Sequence, residues 1–309
     1  MFMEQTVVKN SPLAWLLAAR PKTLTGAAVP VMIGLALAWV DARAYYEPGA
    51  FSYVAAVLCL LFALLMQVDA NFVNDFVDNA RGTDDRSLRL GPERACAQGW
   101  VSTEAMKHAI AATTCLACVV GLPLVLFGGM EMVLVGLACV VFCFLYTTHF
   151  SYMGLGDVLV VVFFGVVPVC VTYYVQLRDV TVQTISASLA CGLVIDALLL
   201  VNNFRDRDND RLVGKQTLVV RIGARASLML YLLVGVAACL LGVVFALDGR
   251  WMAFLLPLLY LPLHVKTYLD IRRIDHGREL NQCLGSTSRN ILVYGVLLTA
   301  GLLCGDLKF

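Results

Sequence analysis

The sequence predicts an all-α integral membrane protein, a bundle of nine transmembrane helices forming one domain over residues 1–309. Apolar residues make up 60% of the chain and charged residues only 15%, whereas a soluble domain carries about a quarter charged residues. The apolar residues gather in long runs, and about 20 residues are needed to cross about 30 Å of hydrocarbon. The nine runs lie near 24–40, 51–73, 108–128, 130–147, 157–177, 183–203, 226–246, 251–269 and 289–305.

The connections between neighbouring runs are short, as in "DARAYYEPGA" after the first run and "ALDGR" after the seventh. Short connections join neighbouring helices as antiparallel hairpins. Runs and connections together account for the chain, so no separate soluble domain is predicted.

The distribution of basic residues predicts the orientation of the bundle, because Lys and Arg accumulate in cytoplasmic loops. With nine spans, 19 of the 23 basic residues fall on the side of the N-terminal tail. The other side holds Arg43, Arg178, Arg250 and Lys308. The N-terminus also lacks a signal-peptide pattern. We therefore expect the N-terminus and the charged loops to be cytoplasmic.

Charge and cysteine placement exclude several classes of protein. The net charge is +1, and no basic stripe with interleaved aromatic residues predicts a nucleic-acid partner. Nine of the eleven cysteines fall in predicted spans, where cysteine acts as a small apolar residue. Cys115 and Cys118 form a C-x-x-C pair inside a span, with no second pair or nearby histidine, which argues against a metal or redox site.

A charged motif occurs twice, at the cytoplasmic ends of the second and sixth predicted spans. The chain reads "NFVNDFVDNARGTDD" at the first place and "NNFRDRDNDRLVGK" at the second. A shift of 128 residues superposes Asn74 on Asn202 and Asp78 on Asp206. Four spans separate the copies, so both point the same way. The pattern indicates an internal duplication, with motifs at 74–84 and 202–215, whose acidic faces meet over one cavity.

Helical spacing gives these faces their chemistry. Asp75 and Asp78 are three residues apart and Asp206 and Asp210 are four apart, so each pair shares one side of its helix. Carboxylates 4 Å apart repel by on the order of 1–4 kcal/mol in a partly wet site, so a cation is expected between them. Carboxylate and amide oxygens suit Mg²⁺, which also binds substrate phosphates. The flanking basic residues suit a metal–diphosphate complex; they are Arg81, Arg205, Arg211, Lys215 and Arg221.

Other readings fit part of this pattern. A lone charged cluster is usually a solvated helix end, but two clusters in matching register favour a functional site. A cation- or phosphate-coupled transporter should carry charge near the bilayer midplane and broken helices there. A lipid-binding scaffold could use the basic loops for anionic headgroups, yet has no use for paired acids.

These motifs resemble the two aspartate-rich motifs of UbiA-type intramembrane aromatic prenyltransferases. The first copy reads N-D-x-x-D with a further acid at Asp84, and the second reads N-x-x-R-D-x-x-x-D-x-x-x-G-K. Similarity extends to "ARPKTLTGAAVPVMIGLALA", "GPERACAQGWVS" and "ELNQCLGSTSRN", and so covers most of the chain. The stretch "YTTHFSYMGLGD" departs from the family, because relatives often carry prolines there.

The resemblance implies a nine-helix bundle whose cytoplasmic cap loops cover a central cavity that opens sideways to lipid. It implies two Mg²⁺ ions that hold the diphosphate of a polyprenyl diphosphate. The implied metal ligands are Asn74, Asp75, Asp78, Asp84, Asp206 and Asp210. The implied diphosphate ligands are Arg81, Arg205, Lys215 and Arg221. The implied catalytic residues are Asp75, Asp78, Asp206, Asp210, Lys215 and Tyr146, the last as a ring that stabilises an allylic cation or as an ordinary interface tyrosine.

Within the family, the sequence is most similar to members that prenylate 1,4-dihydroxy-2-naphthoate, with loss of CO₂, in menaquinone biosynthesis. Relatives acting on 4-hydroxybenzoate or homogentisate are the alternative. The expected aromatic-substrate contacts are Asp157, Asn281 and Arg289. Expected partners are the two substrates and membrane lipids, with no obligate protein partner. The expected location is the bacterial cytoplasmic (inner) membrane.

Overall fold

The computed structural model of the chain describes residues 7–82, 89–148 and 154–304, and it confirms the all-α prediction. Within these ranges the chain forms helices and no β-strand. The ten principal helices of the described ranges are α1 Pro12–Ala19, α2 Thr25–Tyr45, α3 Tyr53–Ala80, α4 Thr103–Gly128, α5 Glu131–Thr148, α6 Gly156–Leu177, α7 Val182–Leu212, α8 Leu218–Leu247, α9 Trp251–Ile274 and α10 Leu280–Cys304.

Eight of the helices in the described ranges, α2 to α4 and α6 to α10, are long and apolar enough to cross a membrane. The fourth predicted span corresponds to α5, which has 18 residues. At 1.5 Å per residue α5 is about 27 Å long, just below a hydrocarbon thickness of about 30 Å. The multi-pass architecture is therefore confirmed, whereas a ninth crossing through α5 stays a prediction.

Hydroxyl side chains fix the beginnings of five helices. The side chains of Ser11, Ser52, Ser102, Thr181 and Thr217 each accept a hydrogen bond from the backbone N–H three residues further along. Such N-caps pair donors that a helix end leaves unsatisfied, and each typically contributes about 1 kcal/mol. Ser52 and Thr181 in this way set where α3 and α7 begin, the two helices that carry the motifs.

Helix α7 packs against α2, α6, α8 and α10, and a close glycine contact holds α6 to it. A Cβ atom added to Gly165 of α6 would lie 2.5 Å from the Cα atom of Gly192 in α7. A larger residue at Gly165 would therefore push the two backbones apart. Helix α6 also contains a π-helical segment, Val161–Val166, and π turns within α-helices occur frequently at functional sites.

Helix α1 is an element that the sequence analysis does not predict. Its Trp15 packs edge-on against Phe72 of α3, with ring centroids 5.7 Å apart. The amide nitrogen of Asn71 donates to the carbonyl oxygen of Ala19 at 2.9 Å. These contacts hold the end of α1 against α3, and so fix the position of Arg20, which follows α1 directly.

Candidate active site

A cavity of about 1080 Å³ lies between the ends of α3 and α7 and extends into the apolar interior of the bundle. Acidic and basic side chains together line the end nearest the two motifs. The charged residues at this end are Arg20, Lys22, Asp78, Arg89, Arg94, Arg205, Asp206, Asp210 and Lys215. A charged end joined to an apolar chamber suits a ligand with an anionic head and an apolar tail.

In the first motif, Asn74 and Asp78 line the cavity one helical turn apart on α3. The Arg94 guanidinium lies 3.0 Å from the Asp78 carboxylate. Arg94 belongs to the segment 89–102 that follows the first motif, so this ion pair brings the segment to the cavity. In the second motif, Asp206 and Asp210 likewise line the cavity one turn apart on α7.

Asp75, which the sequence predicts as a metal ligand and catalytic residue, does not line the cavity. Its side chain is 0% exposed. Its two carboxylate oxygens accept hydrogen bonds from the backbone N–H groups of Ala95 and Cys96, each at 2.9 Å. The Arg20 guanidinium lies 3.8 Å away. Asp75 therefore anchors segment 89–102 to α3, because its oxygens are committed to that backbone.

Arg205 holds the second motif together rather than presenting a free cation. It is 3% exposed, and its Nε and Nη2 atoms donate to the two Asp206 carboxylate oxygens. It also donates to the side-chain oxygens of Asn281 and Asn202, each at 2.8 Å. These bonds use four of its five N–H groups. These bonds hold Asp206 in position, and the role of Arg205 as a diphosphate ligand stays a prediction.

Asn281 of α10 connects three parts of the structure. Its side-chain oxygen accepts from Arg205, and its amide nitrogen donates to the Leu90 carbonyl oxygen at 2.8 Å. Both ends of the amide are thus engaged, although Asn281 lines the cavity. Its described contacts tie α10 and segment 89–102 to the second motif, and they do not support the predicted contact with an aromatic substrate.

The carboxylates of the two motifs do not form the tight four-acid cluster that helical spacing suggests. Among the described residues, no three His, Cys, Asp or Glu side chains lie close enough to hold a metal ion by themselves. The physical reason is internal pairing: Asp78 pairs with Arg94, Asp206 with Arg205, and Asp210 with Lys215 at 3.4 Å.

The oxygen donors at this end nevertheless fit Mg²⁺ that is bound jointly with a phosphate ligand. Asn74, Asp78, Asp206 and Asp210 all face one cavity. The Oδ2 atom of Asp210 is buried and has no hydrogen-bond partner among the described residues, and a buried polar atom is normally satisfied. Mg²⁺ usually binds through one or two carboxylates plus substrate phosphates and water, so a three-acid cluster is not required.

Three predicted arginines lie outside the cavity. Arg81, Arg221 and Arg289 are exposed and are absent from its lining. Arg81 is the C-cap of α3, and its backbone N–H donates to the Val77 carbonyl oxygen at 3.0 Å. Arg221 packs against Gly154, and Arg289 directly follows Ser288, the last residue of α10 that lines the cavity. Asp84, a predicted metal ligand, lies outside the described residues.

Two half-buried arginines that the motif analysis misses lie at the charged end of the cavity. Arg20 and Arg89 both line the charged end. Burial lowers the pKa of Arg20, while the negative charges of Asp75 and Asp78 raise it. Burial also lowers the pKa of Arg89, and the positive charge of Arg20 lowers it further. Two half-buried guanidinium groups at one end of the cavity favour a bound polyanion.

The sequence did contain a signal for Arg20 and Lys22. Both stand in the stretch "ARPKT", directly before the first span. From the sequence they serve only to predict the orientation of the bundle. The backbone at Arg20 has φ +51°, a left-handed conformation that non-glycine residues seldom adopt outside functional sites and turns. That conformation follows α1, an element that hydropathy alone does not predict.

The apolar part of the cavity has an aromatic wall. Phe142 and Phe163 stack with ring centroids 3.7 Å apart, and Tyr146 lies 5.4 Å from Phe142. All three line the cavity, as does Asp157 at the beginning of α6. The predicted cavity residues Tyr146 and Asp157 are therefore brought together beside a flat apolar surface.

The apolar chamber also reaches the outer surface of the bundle between α4 and α5. Leu122, Val133 and Leu137 line the cavity and are at the same time exposed. In a chain whose helices span a bilayer, this exposed apolar surface faces lipid. The cavity is thus accessible to a lipid tail from the side.

The fold and the cavity together define an intramembrane enzyme that handles an anionic head carried on an apolar chain. Residues 27–284 match the UbiA prenyltransferase family, and the chain belongs to that family. It is 34% identical over 301 residues to the 1,4-dihydroxy-2-naphthoate octaprenyltransferase of Escherichia coli K12, covering 94% of both chains. It is 32% identical to the protein of the same name from Mycobacterium tuberculosis, covering 95% of this chain and 98% of the relative.

Solved structures show the same fold. A UbiA homolog from Aeropyrum pernix K1 superposes with a TM-score of 0.67 at 16% identity, covering 91% of this chain and 97% of the homolog. A UbiA homolog from Archaeoglobus fulgidus, bound to DMAPP and Mg²⁺, superposes with a TM-score of 0.58 at 15% identity, covering 93% and 99%. At these identities the likeness concerns the fold.

Proposed function

We propose that this protein transfers a polyprenyl chain from polyprenyl diphosphate to 1,4-dihydroxy-2-naphthoate, with release of diphosphate and CO₂. The observation that carries the proposal is the 34% identity to the Escherichia coli enzyme named for that acceptor, over 94% of both chains. The product is the quinol form of demethylmenaquinone, which places the protein in menaquinone biosynthesis. A charged end that adjoins an apolar chamber supports this reading.

The charged end would hold the diphosphate. Arg20, Arg89 and Lys215 supply positive charge for its oxygens. When bound with the diphosphate, Mg²⁺ acts as a Lewis acid that stabilises the charge on the leaving group. The residues that would hold it, as two ions, are Asn74, Asp78, Asp206 and Asp210.

The apolar chamber would protect the reactive carbon chain. Cleavage of the allylic C–O bond produces a cation, and the faces of Tyr146 and Phe142 stabilise positive charge. Apolar lining residues such as Phe163 and Phe164 exclude water that would capture the cation. The ring carbon that bears the carboxylate then attacks, and loss of CO₂ restores the aromatic ring.

The direct test follows the carboxylate of the acceptor. We expect wild-type membranes supplied with Mg²⁺ and geranylgeranyl diphosphate to release one labelled CO₂ from carboxyl-labelled 1,4-dihydroxy-2-naphthoate for each prenylated lipid formed. Prenylation of 4-hydroxybenzoate beside its hydroxyl group would instead keep the label in the product. Retention of label, or turnover of 4-hydroxybenzoate alone, would overturn the naphthoate assignment and leave the fold and family unaffected.

We also propose that the charged end faces the cytoplasm of a bacterial inner membrane, in keeping with the 19 basic residues on that side. In a cysteine-free background, cysteines at the exposed positions Gln216 and Arg278 should react with an impermeant thiol reagent from the cytoplasmic side only. A cysteine at the exposed Glu47, in the loop after α2, is the matched control and should react only from outside. Labelling of Gln216→Cys from outside would contradict this orientation.

A further inference from the structure

A buried carboxyl group lies in the apolar part of the cavity. Asp157 is 6% exposed and lines the cavity beside the aromatic wall. Neither of its carboxylate oxygens has a hydrogen-bond partner among the described residues. Burying such a group without a partner is costly, so a carboxyl group inside a membrane protein is usually retained for a function.

A second buried carboxyl group lies in the helix against which the beginning of α6 packs. Asp196 of α7 is 3% exposed, and its Oδ1 atom also lacks a partner among the described residues. Asp196 is absent from the cavity lining, and it stands one helical turn before Leu199, a residue that a Cβ atom added to Gly156 would contact at 3.5 Å. A pair of carboxyl groups close together in apolar surroundings shares one proton more readily than it carries two negative charges.

The two carboxyl groups are placed where an aromatic acceptor would meet the prenyl chain. The beginning of α6 packs against α7, and a Cβ atom added to Gly156 would contact the Tyr146 hydroxyl at 3.6 Å. The π-helical segment of α6 follows within one turn. The Tyr146 hydroxyl of α5 therefore lies beside the beginning of α6, which carries Asp157. The charged ligands of the diphosphate lie on other helix ends, so this pair is free for a different task.

We propose that Asp157 is a catalytic residue that accepts the proton of the acceptor hydroxyl group next to the attacked carbon, and returns it after decarboxylation. Asp196 is a positioning residue that shares the proton of the pair. This inference rests on the proposed function, because it assigns a step of the same reaction.

The proton and electron balance closes without any added reagent. As the carbon at position 2 bonds to the allylic carbon and the bond to diphosphate breaks, the hydroxyl group at position 1 becomes a ketone and its proton passes to Asp157. Position 2 then carries both the prenyl chain and the carboxylate, which forms a β-keto carboxylate. Loss of CO₂ moves its electron pair to the ketone oxygen, and that oxygen takes the proton back from Asp157.

The test compares Asp157→Asn with wild type, using 1,4-dihydroxy-2-naphthoate and geranylgeranyl diphosphate. We expect kcat to fall by about 10²–10³-fold, the range typical of a lost general base, while KM for the prenyl donor stays within about threefold. Asp157→Gly should be partly restored by added formate, whereas a residue needed only for packing would not respond. Asp196→Asn should lower kcat by about tenfold, since it acts through Asp157.

Asp69→Asn is the matched control. Asp69 is a buried carboxyl group of α3 outside the cavity lining, and its Oδ2 accepts a hydrogen bond from the Thr114 hydroxyl at 2.8 Å. The kcat of Asp69→Asn should stay near that of wild type. Near-normal kcat in Asp157→Asn, or no response of Asp157→Gly to formate while wild type releases CO₂, would overturn this inference alone. A wild-type protein that releases no CO₂ from the naphthoate would instead overturn the proposed function.

Discussion

Replacing Asp78 or Asp206 with alanine should reduce prenyl transfer by at least about 10³-fold, because each removes a carboxylate that would hold the Mg²⁺ ions, which supply the positive charge needed to stabilise the leaving diphosphate. The two residues belong to different motifs, 128 residues apart, yet line one cavity. Either substitution alone should therefore remove nearly all prenyl-transfer activity. The measurement is the initial rate of lipid product formation across a titration of Mg²⁺.

Asp208→Ala is the matched control for Asp206→Ala. Asp208 lies two residues further along α7, its side chain is 61% exposed, and it is absent from the cavity lining. This variant should keep wild-type activity at every Mg²⁺ concentration. Near-normal turnover by either Asp78→Ala or Asp206→Ala would show that the two motifs do not share one site.

Asp75→Ala should lose activity for a different reason, because the folded protein loses stability. It leaves the buried N–H groups of Ala95 and Cys96 without an acceptor and removes a negative charge beside Arg20. Each unsatisfied buried donor costs about 1–3 kcal/mol, so the free energy of unfolding should fall by about 3 kcal/mol or more. The measurement is the thermal unfolding temperature of Asp75→Ala in detergent, compared with those of wild type and Asp78→Ala.

The comparison separates an anchoring role from a metal-binding role. Asp78→Ala should lose activity with a smaller change in the unfolding temperature, since its carboxylate is part-exposed at the cavity. Asp75→Ala should show a clearly lower unfolding temperature with or without Mg²⁺. An Asp75→Ala protein that unfolds like wild type, but needs far more Mg²⁺, would restore Asp75 as a metal ligand.

Helical periodicity predicts a good part of the site. Asp206 and Asp210 share a face of α7 because they are four residues apart, and the structure lines the cavity with both. Periodicity also predicts that Asp75 lies near Asp78. It cannot show that the Asp75 carboxylate is taken by backbone donors of segment 89–102, because that contact depends on how a loop about 20 residues away folds back.

The basic residues were the harder part to predict for the same reason. Arg81 and Arg221 stand beside the motifs in the sequence, but both are exposed and neither lines the cavity. Arg20 and Arg89 come from segments whose position depends on tertiary contacts. Hydropathy predicts the long spans reliably, because burial in lipid requires continuous apolar helices, but it has no bearing on a short helix such as α1.

The opening between α4 and α5 affects which part of the donor the protein can discriminate. A prenyl tail that enters there leaves one apolar medium for another, so it forgoes the gain of about 0.8 kcal/mol per methylene that transfer out of water would give. Extra isoprene units therefore add little to affinity, and recognition falls to the diphosphate head. The length of the quinone side chain is then set by which polyprenyl diphosphates partition into the same membrane and by their mole fractions. The dimensions of the cavity do not set it.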